Sequence, residues 1–157
     1  PILFLIGLLI SDAYSAVLFF VVFTSLRHRV GGHHAGSAIR CLINSSLIVL
    51  CGLFLYPQIT DGWPAMGHSL VGLIACLVIG LAGPCNDPHI AMTPAELDRN
   101  RKRVLWELLV LVAVFIVLPL LPWGVWPCET AAAAVTLAAS MLIAGKIQNG
   151  GFTHEQE

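Results

Sequence analysis

The chain of 157 residues is 57% hydrophobic and 11% charged, with a mean hydropathy of +0.85. Ordinary soluble domains carry about 25% charged residues, so a soluble single-core domain and a disordered chain are both excluded. Eight Lys and Arg against nine Asp and Glu leave a net charge of -1. That balance gives no cationic field for nucleic acid, and no nucleic-acid recognition motif is present.

Five apolar blocks follow one another: Ile2–Leu26, Cys41–Tyr56, His68–Gly83, Val104–Leu121 and Thr130–Ala144. Blocks of this length span a bilayer, so the expected fold is an all-α, polytopic membrane bundle forming one integral domain over 1–157. The first block is too long for a signal-peptide core and has no basic residues before it; it is expected to be retained in the membrane. Ser11-Asp12 interrupts it, which fits either one long helix or two short segments meeting at a turn. A carboxylate at mid-membrane is costly, so Asp12 is expected to avoid lipid.

The separators sort by charge. Residues 27–40 carry Arg27, Arg29 and Arg40, residues 99–103 carry Arg99, Arg101, Lys102 and Arg103, and Lys146 follows the last block. The two remaining separators, 57–67 and 122–129, have no basic residue and hold Trp63, Trp123 and Trp126. The positive-inside rule therefore expects 27–40 and 84–103 to be cytoplasmic loops, with the tryptophans in an outer aromatic belt.

Local signals refine the blocks. Ser37 suits an N-cap for the second. Thr93-Pro94-Ala95-Glu96 reads as a capping box with Pro at the first helical position, opening a helix that runs through the basic cluster into block four. Glu107, four residues after Arg103, is expected to pair with it along that helix. Pro119 and Pro122 end or kink block four, and the small residues of block five suit close packing.

Chemistry concentrates in Arg27-His28-Arg29-Val30-Gly31-Gly32-His33-His34-Ala35-Gly36-Ser37-Ala38-Ile39-Arg40-Cys41. A Cys paired with a His is a nucleophile of the acyl-transfer kind, and cationic neighbours and a helix N-terminus favour the thiolate. On one continuous helix His34 and Cys41 would stand about 10.5 Å apart, too far for proton transfer. A dyad therefore requires the segment before block two to fold back, for which Gly31, Gly32 and Gly36 are suited; helix unbroken from 27 to 56 would exclude it. The five cysteines, odd in number and without a CxxC, form no disulfide framework, and Cys51 and Cys76 read as packing residues. Two further readings stay open. His28, His33 and His34 with Cys85 and His89 fall short of a standard zinc spacing, and Asp12 and His68, with Asn44, Ser45 and Ser46, are a sparse set for a metal or proton transporter. A non-enzymatic holin-like or accessory membrane protein, its His/Arg loop binding headgroups, is the remaining alternative.

The frame Arg27-x4-Gly32-x-His34-x6-Cys41 resembles the first motif of the AgrB (accessory gene regulator B) membrane peptidases. GGHHAGSAIRC is similar to that family's G-G-Y-H-A…R-C form, with His33 where Tyr is usual. Ala82-Gly83-Pro84…Asp87-Pro88…Thr93-Pro94-Ala95-Glu96 and the following basic cluster resemble its Pro-containing loop. The resemblance implies a cysteine endopeptidase of the bacterial cytoplasmic membrane, acting at the cytoplasmic face on a short AgrD-like quorum-sensing propeptide. A thioester on the enzyme would pass to a cyclic thiolactone or lactone. It also implies Cys41 as nucleophile, His34 as general base, Arg27 and Gly32 as supporting positions, a homodimer among membrane lipids, and no cofactor. Arg40, just before the Cys, joins the supporting set, and the Arg residues would attract an acidic propeptide tail. Family members carry an amphipathic, partly charged segment ahead of the first span, whereas this sequence opens inside an apolar block.

Overall fold

In a computed structural model of the protein, the residues described are Gly7, Leu9, 11–30, 38–84 and 93–148, with side chains for all but 38–42, 94 and 148. They form helices α1 (Ala13–Val30), α2 (Ala38–Leu50), α3 (Tyr56–Ile59), α4 (Ala65–Ala82), α5 (Pro94–Val117) and α6 (Val125–Gln148). A π-helical turn, Cys51–Leu55, joins α2 to α3, and a 3-10 turn, Leu118–Leu120, follows α5. No strand occurs among the described residues. Three segments are long and apolar enough to cross a membrane: Ala65–Ala82, Ala95–Leu120 and Val125–Ile147. The bundle expected from the sequence is thus the bundle formed.

α6 is the central helix, packed against α4, α1 and the π turn. Its run Ala131-Ala132-Ala133-Ala134-Val135 is almost wholly buried. Lipid is as apolar as leucine, so association here depends on how closely backbones approach, and small side chains permit that approach. The same logic sets two aromatic contacts. A Cβ at Gly72 would stand 2.3 Å from the Phe115 ring, and one at Gly52 would stand 2.2 Å from the Phe19 ring. Each phenylalanine fills the notch its glycine leaves, and both rings are fully buried.

The π turn has an identifiable cause. Pro57 has no N–H to offer the carbonyl four residues back, and its ring crowds that carbonyl. The helix widens instead of breaking, and the Tyr56 N–H donates to the Cys51 carbonyl, one residue further back than in an α-helix.

Contacts between α1 and the π turn answer the question of helix continuity. Ala16 and Phe19 share a buried cluster with Val49 and Leu53. A single rod through both would hold Phe19 and Gly52 about 50 Å apart, yet Phe19 lies against Gly52. One continuous rod through α1 and the π turn is therefore excluded; the segment expected to fold back before block two lies outside the described residues.

The interruption at Ser11-Asp12 resolves as two segments. Gly7 packs against Phe20 and Ala16 of α1, a position no continuation of α1 could reach. Asp12 caps α1, its Oδ1 accepting from the N–H groups of Tyr14 and Ser15 at 3.0 Å each. It is exposed at the end of α1 opposite the arginines, so it is a cap and not a mid-membrane carboxylate.

Other ends follow local chemistry. The capping box at Thr93 forms as expected: Glu96 N–H donates to the Thr93 hydroxyl, and the Glu96 carboxylate accepts from Thr93 N–H at 2.9 Å. α4 ends at Gly83, whose φ of +66° is left-handed, and Pro84 follows. α6 begins at Val125, five residues ahead of the expected Thr130, because Pro127 sits within its first turn, where a missing N–H costs nothing.

Candidate active site

Hydrogen bonds and packing define two ends of the bundle. At one end lie the last turn of α1 with Arg27, His28 and Arg29, the first turn of α2 with Arg40 and Cys41, and the first turns of α5 with Arg99, Arg101, Lys102 and Arg103. The last turn of α6, with Lys146, and the end of α4 join them. All eight basic residues of the chain therefore share one end.

Three contacts tie this end together. Glu107 of α5 uses both carboxylate oxygens on α1: Oε2 accepts from Arg29 Nη1 at 2.7 Å, and Oε1 accepts from the Ser25 hydroxyl. The expected pairing of Glu107 with Arg103 is thus corrected: Arg103 is exposed, and Glu107 is turned toward α1. Lys146 donates to the Ala82 carbonyl, supplying a cation to the negative end of α4. Lys102 pairs with Asp98 along α5 at 2.8 Å in an exposed i,i+4 arrangement. A cleft of about 290 Å³ opens between the end of α4, residues Leu81 to Pro84, and Leu97, Asp98 and Arg101 of α5. Arg99 and Arg103 border a shallower one of about 200 Å³.

The residues expected from the sequence are placed as follows. Arg27 is half-buried on α1. Cys41 is the fourth residue of α2, and Arg40 the third. His34 and Gly32 lie outside the described residues, as do His33, Cys85 and His89. Among the described residues no group of three His, Cys, Asp or Glu is arranged to hold a metal ion. Of the transporter set, Asp12 accepts the N–H groups of Tyr14 and Ser15 as the cap of α1, and His68 lies between Tyr56 and Trp63. Sequence reasoning missed Glu107 as a link to α1 and Lys146 as a cap for α4. The signal for Glu107 was a carboxylate three residues inside an apolar block, a position that demands a partner.

Among the described residues no Lys or Arg lies at the opposite end. His68 is buried to 1% exposure between the rings of Tyr56 and Trp63, with centroids 6.0 Å away in each case. Its Nδ1 and the Tyr56 hydroxyl have no hydrogen-bond partner. Thr60 donates to the Tyr56 carbonyl at 2.9 Å and stands 3.4 Å from Glu129 Oε1, and Ser69 donates to the Cys128 sulfur at 3.4 Å.

Three helices long and apolar enough to cross a membrane, in an all-helical bundle whose Lys and Arg fall in two separators and after the last apolar block, define a polytopic helical membrane protein. The sequence pattern of the accessory gene regulator B family, AgrB, matches residues 1–145. The chain belongs to the AgrB family, which is involved in the processing of autoinducing propeptides. No curated protein and no solved structure matches it.

Proposed function

We propose that this protein is a cysteine endopeptidase that cleaves an AgrD-like propeptide and passes the acyl group on to a cyclic product. The observation that carries the reading is the Gly32-x-His34-x6-Cys41 motif of the sequence, its Cys41 the fourth residue of α2, in a chain that belongs to the AgrB family.

The chemistry balances without a cofactor. His34 takes the proton of the Cys41 thiol, and the sulfur attacks the scissile carbonyl. The C–N bond breaks, the C-terminal fragment leaves as an amine carrying the proton from His34, and the acyl group remains on Cys41 as a thioester. A thiol or hydroxyl within the substrate then attacks that carbonyl, closing a thiolactone or lactone and returning the proton to Cys41. Exchange of one thioester for another is near thermoneutral, so the step depends on excluding water, which a site at the bilayer surface favours. The exposed Arg99, Arg101 and Arg103 on α5 supply positive potential for an acidic propeptide tail. Arg27, Gly32 and Arg40 support the site. By the positive-inside rule the basic end faces the cytoplasm of a bacterial cell, the loops at 27–40 and 84–103 lie on that side, and the chain works as a homodimer among membrane lipids.

The test is direct. Membranes containing the protein are incubated with a candidate propeptide and the products are read by mass spectrometry. Wild type yields the released tail and a cyclic product, Cys41→Ala yields neither, and a propeptide fragment is trapped covalently on Cys41. Cleavage by Cys41→Ala at the wild-type rate overturns the assignment.

A further inference from the structure

α5 has two sides of different character. Val104, Leu108, Leu111 and Phe115 are buried against the rest of the bundle. At about 100° per residue these four lie about 120° to 180° around the helix from Arg99. Arg103, Trp106, Val110 and Val117 all fall within about 40° of Arg99, and every one of them is exposed. Burial and helical spacing thus agree on one outward stripe of α5, with two arginines at its head and apolar side chains below. Arg101 falls about 200° from Arg99 and lines the cleft against the end of α4 instead.

The order of residues along the stripe matches the depth profile of a phospholipid leaflet. Arg99 and Arg103 border one shallow cleft, and neither has an ion-pair partner among the described residues. Glu96 borders the same cleft, with its carboxylate engaged by the N–H and hydroxyl of Thr93. Trp106, 70% exposed, comes about 4.5 Å below Arg103 along the axis, and an indole at that level suits the boundary between headgroups and chains. From Trp106 to Val117 the helix rises about 16 Å, close to half of the ~30 Å hydrocarbon core. A guanidinium binds two phosphate oxygens side by side, and each cation near the surface favours a net negative headgroup by about five-fold. A phospholipid uses both parts of the stripe, whereas a free anion or an acidic peptide uses the arginines alone.

We propose that the Arg99–Arg103–Trp106 stripe of α5 is a binding site for one anionic phospholipid, its phosphate held by the two arginines and its chains laid along Val110 and Val117. Arg101, turned to the cleft at α4, takes no part and stays available to an acidic propeptide tail. The site stands apart from the peptidase reading, since it involves neither Cys41 nor His34.

The test uses the full chain in phosphatidylcholine vesicles with phosphatidylglycerol as the anionic probe, one of the two lipids brominated on its acyl chains. Bromine quenches indole fluorescence on contact, and the Trp106 signal is the difference between wild type and Trp106→Phe. Trp63, Trp123 and Trp126, in the two separators without Lys or Arg, cancel in that difference. Phosphatidylglycerol is expected to be preferred at Trp106 by about twenty-fold. Arg99→Gln and Arg103→Gln each lower the preference about five-fold, while Arg101→Gln, which removes the same charge from the other side, leaves it within about two-fold. No preference in wild type overturns the proposal. So does a loss in Arg101→Gln equal to that in Arg103→Gln, which would make the effect one of diffuse surface charge. Relief of quenching by millimolar inorganic phosphate or by an acidic peptide also overturns it, since either would assign the arginines to another ligand. Should Arg103→Gln fail to fold, Arg99→Gln decides by the same measure. Propeptide is absent throughout, so failure here leaves the Cys41 assignment standing, and cleavage by Cys41→Ala leaves this site standing.

Discussion

The two ends of this bundle handle polarity in opposite ways. At the basic end, charge is abundant and shared: Glu107 bridges Ser25 and Arg29, Lys146 closes α4, and Lys102 pairs with Asp98. Arg99, Arg101 and Arg103 stay exposed beside them. At the other end His68 is buried with Nδ1 unpartnered, and Glu129 has a threonine hydroxyl at 3.4 Å rather than a cation. Buried polar atoms without partners cost stability, whereas charges at a membrane surface cost little. The contrast teaches where exchange with water and substrate is provided for. Variants at the two ends should therefore differ in kind: at the basic end they change processing, and at the far end or in the middle they change stability.

The largest expected effect is at the basic end. Cys41→Ala and His34→Ala should each lower propeptide processing by about 1,000-fold or more, since residues acting as one nucleophilic unit fail together. The double variant should be no worse than either single one. Rates from mass spectrometry check this, and additive losses would show that the two residues do not act as a unit.

Next comes the middle of the bundle, which belongs to neither end. Gly72→Ala places a Cβ 2.3 Å from the buried Phe115 ring, and overpacking of this kind costs about 1–3 kcal/mol. Thermal unfolding in detergent should show the loss, and Phe115→Leu in the same chain should relieve part of it. A melting temperature equal to wild type would mean that the helices separate easily there.

A smaller effect is expected from Thr93→Ala, which removes the cap of α5 at the basic end and costs about 1 kcal/mol. Thermal unfolding in detergent should show the loss, and a melting temperature equal to wild type would exclude the cap as a source of stability.

What the sequence disclosed follows from the range over which each signal acts. Block lengths and charge placement are local or additive, and they gave the helical bundle and the gathering of Lys and Arg. The Thr93 box is a four-residue pattern, and it formed as read. Glu107 was misassigned because helix spacing makes Arg103 a neighbour, while Arg29 is 78 positions away and reaches it only through packing. The notches at Gly52 and Gly72 were silent for the same reason: a glycine carries no mark of the ring that will fill it. In the candidate site, the residue types and spacing from Arg27 to Cys41 were visible, and the carboxylate that grips α1 from α5 was not.

The smallest expected effect falls at the far end and bears most directly on the contrast. His68 sits between Tyr56 and Trp63 with an unpartnered Nδ1. A phenylalanine there keeps a planar ring of similar shape for both neighbours and removes both ring nitrogens, the unpartnered Nδ1 and the one bonded to the Trp63 backbone. Removing an unsatisfied buried group is close to neutral or stabilising, and losing the bond to Trp63 offsets that gain. His68→Phe should thus unfold close to the wild-type temperature in detergent and process propeptide within about two-fold of wild type, as befits a site far from the transition state. A loss of processing beyond about ten-fold at full stability would bring the far end into the reaction, and the division between the two ends would then have to be redrawn around His68, Tyr56 and Glu129.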